Sequence, residues 1–222
     1  MKFFKQVLAA ALCSFAVGAG ASPAAPSAGA EYVVLPEPQA VDTGKKVEVI
    51  EFFAYYCPHC YALEPALAAW VKKQGDNIVF KRVHVSRGQS VLPQQKLFFT
   101  LDAMGLLEQH HQKAFEAMHV QNNPLRNDEM VFNWAASRGI DKRNFMATYH
   151  GMGVAAKLRR TDRMMADYRV DYWPMLFVDG KYMTSPAEAS RRIKPEPTEE
   201  QQHANALQVL DFLVAKAKAE KK

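Results

Sequence analysis

The sequence predicts an α/β fold in which a mixed β-sheet is interrupted by an inserted α-helical block. Three observations predict it. Residues 46–85 run strand, helix, strand, the βαβ order that normally makes a parallel pair. From about residue 92 to 162 helical spacing dominates, over a stretch too long to be a loop. Strand composition returns at Met175-Leu176-Phe177-Val178, and Asp179-Gly180 follows, a strong short hairpin signal. A two-stranded start and a hairpin finish can share one sheet.

The elements follow in order. Lys2 and Lys5 precede an uncharged apolar run from Val7 to Val17, and Ala19-Gly20-Ala21 supplies small residues. This is the pattern of a secretory signal peptide over residues 1–21, cleaved after Ala21. The run is short for a bilayer span. A lipoprotein start at Cys13 is disfavoured by the bulky Leu12 before it. Residues 22–30 are Pro/Ala/Ser/Gly-rich and are expected to be a disordered leader. Glu31 to Asp42 reads as extended chain.

Lys46 to Phe53 is a strand by its β-branched and aromatic content. Its nearly continuous apolar end suits a central strand covered on both faces. Ala62, Leu63, Ala66, Leu67 and Trp70 then recur at helical spacing. Pro58 fits the first turn of that helix, and Pro65 should kink it. Ile78 to Val85 is the second strand. Helical patterns occupy Leu97–Met104, Leu106–Met118, Glu129–Trp134, Phe145–Tyr149 and Val154–Tyr168. Lys181-Tyr182-Met183 pairs back across the hairpin. Thr198 with Gln201 resembles a capping box that opens a last helix, with Leu207, Leu210, Leu213, Val214 and Ala217 on one face.

Nearly half the chain is apolar (49%), so a sizeable core is available without cross-links. Loss of Lys2 and Lys5 with the leader lowers the formal charge from +5 to +3. So mild an excess implies no nucleic-acid partner. The cysteines say more. There are three, and Cys13 leaves with the leader, so the exported chain keeps only Cys57 and Cys60. Disulfides persist outside the cytosol, yet no long-range staple is possible here. A bridge across so small a loop removes only about 2 kcal/mol of unfolded-chain entropy. Redox chemistry is a better reason for the pair.

Cysteines at i and i+3 share a helix face. The first, at the helix start, faces unpaired N–H groups and the positive end of the macrodipole. His59 between them can add positive charge or a hydrogen bond. Both effects favour the Cys57 thiolate, the reactive form. A stabilised thiolate stabilises the reduced protein and makes the disulfide a stronger oxidant, about 1.4 kcal/mol for each 30 mV. Other uses of this spacing lack partners. A structural zinc site needs further Cys or His ligands, and the next histidine is His84. A c-type haem site needs His after the second cysteine, where Tyr61 stands. An iron–sulfur cluster lacks its remaining cysteines. No metal and no cofactor are expected.

The segment Glu51-Phe52-Phe53-Ala54-Tyr55-Tyr56-Cys57-Pro58-His59-Cys60-Tyr61 resembles the active-site segment of the DsbA family of periplasmic thiol:disulfide oxidoreductases. A depressed cysteine pKa and an oxidising disulfide are already known properties of that family. The resemblance implies a thioredoxin-like fold, with residues 31–88 and 163–222 as its two parts and residues 89–162 as the helical insertion. It casts Cys57 as the exposed nucleophile, Cys60 as its buried partner, and Pro58 and His59 as the tuning dipeptide. Pro65 matches the helix-kinking proline of thioredoxin-like proteins. Trp173-Pro174 matches the family's cis-proline facing the dithiol, whereas spacing alone favours an ordinary trans-Pro at an edge strand. A cis turn would offer the Trp173 backbone to an incoming peptide. The family commonly has Val or Thr where this chain has Trp173, a departure at the position touching substrate and thiols.

Glu51 and Glu64 match acidic residues below the dithiol, where a carboxylate can exchange a proton with Cys60. Glu51 ends an apolar strand and needs a partner, with Arg82 or Lys81 as the candidates. Glu64 reads equally well as a solvated helix face. His110, His111 and His119 read as helix-surface residues. Tyr55, Tyr56, Trp173 and Met175 offer either an apolar surface for clients or core packing.

The expected function is donation of the Cys57–Cys60 disulfide to reduced, unfolded exported proteins in the periplasm by a monomer. By resemblance, a DsbB-like membrane protein linked to quinone reoxidises it. A reductase, an isomerase or a peptide-binding chaperone on the same fold is the alternative.

Overall fold

A computed structural model describes residues 25–221. The expected signal peptide therefore lies outside the described residues. Within residues 25–30, Ala30 is fully buried and its N–H reaches the Ser27 carbonyl at 3.1 Å.

Five strands form one mixed sheet. They are β1 (Val33–Val34), β2 (Val47–Phe53), β3 (Ile78–His84), β4 (Met175–Val178) and β5 (Tyr182–Thr184), in the order β1-β5-β4-β2-β3. β2 and β3 are parallel, while β4 lies antiparallel to both β2 and β5. Every residue of β2 is buried, as expected of a strand covered on both faces. Alternation divides those faces. Val47 and Val49 join Leu63, Leu67 and Trp70 of α1 (Pro58–Gln74) and Leu210 and Leu213 of the last helix. Ile50 and Phe52 join Phe98, Phe115 and Tyr168 on the other side.

Five helices separate β3 from β4: α2 (Leu92–Ala103), α3 (Leu107–His119), α4 (Asp128–Ser137), α5 (Lys142–Tyr149) and α6 (Met152–Asp167). The last of these helices ends at Asp167, one residue from the Tyr168 end of the helical spacing read from sequence. The β4–β5 turn places Asp179 and Gly180 at φ 51° and 64°. A Cβ on Gly180 would meet the Gln39 carbonyl oxygen at 2.3 Å, so the turn geometry and the neighbouring chain both require glycine. A short helix, α7 (Pro186–Ser190), was not expected from sequence. Ser185 caps it by accepting the Glu188 N–H at 3.0 Å. The final helix, α8 (Glu199–Glu220), opens on the expected capping box, with Thr198 and Gln201 each holding the other's backbone N–H.

Candidate active site

Cys57 is the N-cap of α1 and Pro58 its first residue. The helix can begin there because proline at this position lacks only an N–H that would go unpaired. The Cys57 Sγ takes the capping role, accepting the Cys60 N–H at 3.4 Å. The Cys57 N–H is tied to the Ala54 carbonyl at 3.1 Å. Both cysteines are free thiols.

Their electrostatics diverge. Cys57 is lowered from an ordinary value of 9.0 to about 6. The largest cause is the Cys60 thiol donating to the Cys57 sulfur. Burial opposes it, and the backbone N–H groups of Cys60 and His59 and the charge of His59 add to it. Cys60 is pushed well above 9.0 by burial first and by Cys57 second. The reduced pair thus holds one thiolate and one thiol at neutral pH.

Cys57 is less open than expected, with only 5% of its surface exposed against 0% for Cys60. The cis Trp173-Pro174 peptide lies opposite, with the Trp173 carbonyl 3.7 Å from Cys57 Sγ. A thiol can donate to that oxygen; a thiolate cannot. Pro174 is buried, whereas Trp173 and Tyr56 are half-buried and meet edge to face with centroids 6.1 Å apart. Tyr55 and Met175 belong to the core instead, which leaves Tyr56 and Trp173 as the partly exposed aromatic residues beside the dithiol.

His59 is exposed, and its Nδ1 lies 2.7 Å from Glu199 Oε1 at the start of α8. That hydrogen bond is the main reason its pKa is raised. Glu199 carried no recognisable signal in the sequence. His59, Trp173, Pro174, Pro186 and Glu199 border a cavity of 220 Å³ beside the helix start.

Below the dithiol lies a buried charged group. Glu51 and Arg82 are register partners on β2 and β3, and Arg82 Nε stands 3.3 Å from Glu51 Oε2. Arg82 Nη2 donates to Glu64 Oε1 at 2.8 Å. Lys81 sits beside Ile50 in register and pairs with Glu48 instead. Glu64 is buried, not a solvated helix face. Burial raises Glu51 to about 8; Arg82 opposes this and Glu64 adds to it. For Glu64, burial is outweighed by His111 and Arg82, and the net shift is downward. A larger cavity of 460 Å³ opens against Arg82, Phe98 and Arg160 and borders neither cysteine. Among the described residues no group of three His, Cys, Asp or Glu is placed to hold a metal.

The histidines correct the sequence reading. His110 and His111 are buried and His119 is half-buried, because the helical block packs directly over the strand ends. Three of the histidines hold Tyr55, two residues before Cys57. The Tyr55 N–H donates to His84 Nε2 at 3.1 Å. His119 Nε2–H donates to the Tyr55 carbonyl at 2.8 Å. The Tyr55 hydroxyl meets His111 Nδ1 at 3.0 Å. His111 Nε2 lies 3.4 Å from Glu64 Oε2, and His119 stacks on Tyr61 with centroids 4.8 Å apart. The backbone before the dithiol and the ring after it are thus held by one side chain of α3.

Comparisons with known proteins agree with this geometry. The sequence model of the DSBA-like thioredoxin domain matches residues 48–194. The chain is 40% identical over 221 residues to a thiol:disulfide interchange protein DsbA of Burkholderia cepacia, covering 98% of this chain and 99% of that one. It is 32% identical over 193 residues to the DsbA of Pseudomonas aeruginosa strain PAO1, covering 87% and 86%. The crystal structure of a P. aeruginosa DsbA superposes with a TM-score of 0.78 at 31% identity, over 88% of this chain and 96% of that one. Reduced DsbA1 of Neisseria meningitidis superposes at 0.73 with 27% identity, over 90% and 98%. The chain belongs to the DsbA-like thioredoxin domain family.

Proposed function

We propose that this chain is a thiol:disulfide oxidoreductase that donates its Cys57–Cys60 disulfide to reduced, newly exported proteins in the periplasm. The observation that carries this reading is the asymmetry of the pair. Cys57, at a helix start, is held to about 6, while the buried Cys60 is pushed upward. The relatives named as thiol:disulfide interchange proteins support it.

The exchange runs in two displacements. A client thiolate attacks Cys57 Sγ, the Cys57–Cys60 bond breaks, and Cys60 leaves as a thiolate that takes up a proton. Protonated Glu51, raised to about 8, is a suitable source. The second client thiolate then attacks the client sulfur of the mixed disulfide, and Cys57 departs as its stabilised thiolate. The client loses two electrons and its two thiol protons; the chain gains two electrons. Pro58 starts the helix and His59 supplies positive charge. Trp173, Pro174 and Tyr56 bear on the bound client. Glu64 and Arg82 set the charge around Glu51. For turnover, a DsbB-like quinone-linked membrane protein accepts the electrons, and the chain acts as a monomer.

The test mixes oxidised protein with a reduced dithiol peptide and follows both partners by thiol trapping. The expected result is a peptide disulfide appearing as the two protein thiols appear, abolished by Cys57→Ser. Peptide binding that survives Cys57→Ser, with no peptide oxidation by the wild-type chain, would instead favour a chaperone. Faster insulin reduction than peptide oxidation would favour a reductase.

A further inference from the structure

The charges around the dithiol differ in their availability to a client. Glu51, Glu64 and Arg82 are shielded from solvent and pair with one another. His59 and Glu199 are exposed but paired. Arg87 is exposed and makes no ion pair with any carboxylate among the described residues.

The backbone leading to it is held in place. The Val85 N–H donates to the Phe53 carbonyl at 2.8 Å, and the Ser86 N–H approaches Met165 Sδ at 3.1 Å. These anchor the backbone just before Arg87. The guanidinium then lies over the Trp173 ring, 5.5 Å from its centroid. Trp173 is the residue whose carbonyl meets Cys57 Sγ at 3.7 Å. Of its five N–H donors, contact with the ring and with the neighbouring Tyr56 hydroxyl leaves others to meet a further acceptor. The charge also reaches the neighbouring aromatic residue. Burial raises the Tyr56 hydroxyl pKa, and Arg87 is the largest opposing influence.

We infer that Arg87, seated on Trp173, is a specificity-determining residue that favours clients with an acidic side chain beside the reactive cysteine. This rests on the oxidoreductase function proposed above. A carboxylate on a peptide crossing Trp173 meets the guanidinium edge while its cysteine sulfur faces Cys57. On the opposite flank His59 already occupies the Glu199 carboxylate, so no equal attraction for a basic side chain offsets the effect. Trp173 has a physical role in this arrangement, as the platform that carries the cation to the thiols.

The experiment uses two dithiol peptides identical except for Glu or Lys beside the first cysteine. Their oxidation by the oxidised full chain is compared with that by R87Q and R87K. Because a neighbouring charge alters the peptide thiol itself, the quantity read is the Glu/Lys ratio of kcat/KM in wild type divided by that in R87Q. The expected quotient is about three to five at low salt, falling toward one at high salt and largely retained in R87K. Equal ratios in wild type and R87Q overturn the assignment. If wild type oxidises neither peptide, the oxidoreductase reading fails and the role of Arg87 falls with it.

Discussion

Arg82 and Glu51 face each other in register across β2 and β3, with Nε and Oε2 3.3 Å apart and both side chains buried. The other end of the same guanidinium hydrogen-bonds Glu64. One cation therefore serves two carboxyl groups under the dithiol. R82M leaves a buried carboxylate without its cation, which costs about 3–5 kcal/mol. Urea unfolding of the reduced protein reads this directly; a loss below about 1 kcal/mol would show that water replaces the guanidinium.

Glu51 is the carboxyl whose pKa is raised, to about 8. The native chain keeps a proton there that the unfolded chain releases near 4.5, so this group lowers stability as pH rises from about 4.5 to 8. E51Q removes that penalty. At pH 7 it should gain about 1–3 kcal/mol and flatten the decline. A destabilised E51Q would indicate an ionised carboxylate paired with Arg82.

Cys57 works in the opposite sense. It titrates only in the reduced chain, and its folded pKa of about 6 lies below its ordinary 9.0. The stability it contributes is present above 9, and is lost as pH falls from there through 6. The reduced form should therefore gain on the oxidised form as pH rises from about 6 to 9. Paired denaturation curves across that range check it, and a gap independent of pH would contradict it.

His119 joins the Tyr55 carbonyl to the Tyr61 ring across the dithiol. H119A loses one hydrogen bond and leaves the carbonyl of the buried Tyr55 short of a donor, about 1–2 kcal/mol by thermal or urea unfolding. Unchanged stability would mean that water restores the bond.

Much of this arrangement was legible in the sequence because it depends on local rules. The β-branched strand before Cys57, Pro58 at a helix start, Asp179-Gly180 at the turn and Thr198 with Gln201 each specify geometry within a few residues. What could not be read depends on packing between distant segments. His111 and His119 occupy a polar helical pattern that looks solvated until α3 covers Tyr55. Glu199 meets His59 across 140 positions of chain. The choice of Arg82 over Lys81 needed the strand register, which sets the face each side chain takes. Helix α7 did leave a local trace, since Ser185-Pro186-Ala187-Glu188 has the N-cap, N1 and N3 residues of a helix start.

Stabilisation of the Cys57 thiolate should make the disulfide oxidising. Equilibration of the protein with glutathione buffers, followed by thiol trapping, measures it most directly. The expected midpoint lies well above the thioredoxin value of about −270 mV, in the direction already known for this family. A midpoint at or below that value would mean that the Cys57 thiolate does not drive oxidation, and would leave a reductant in its place.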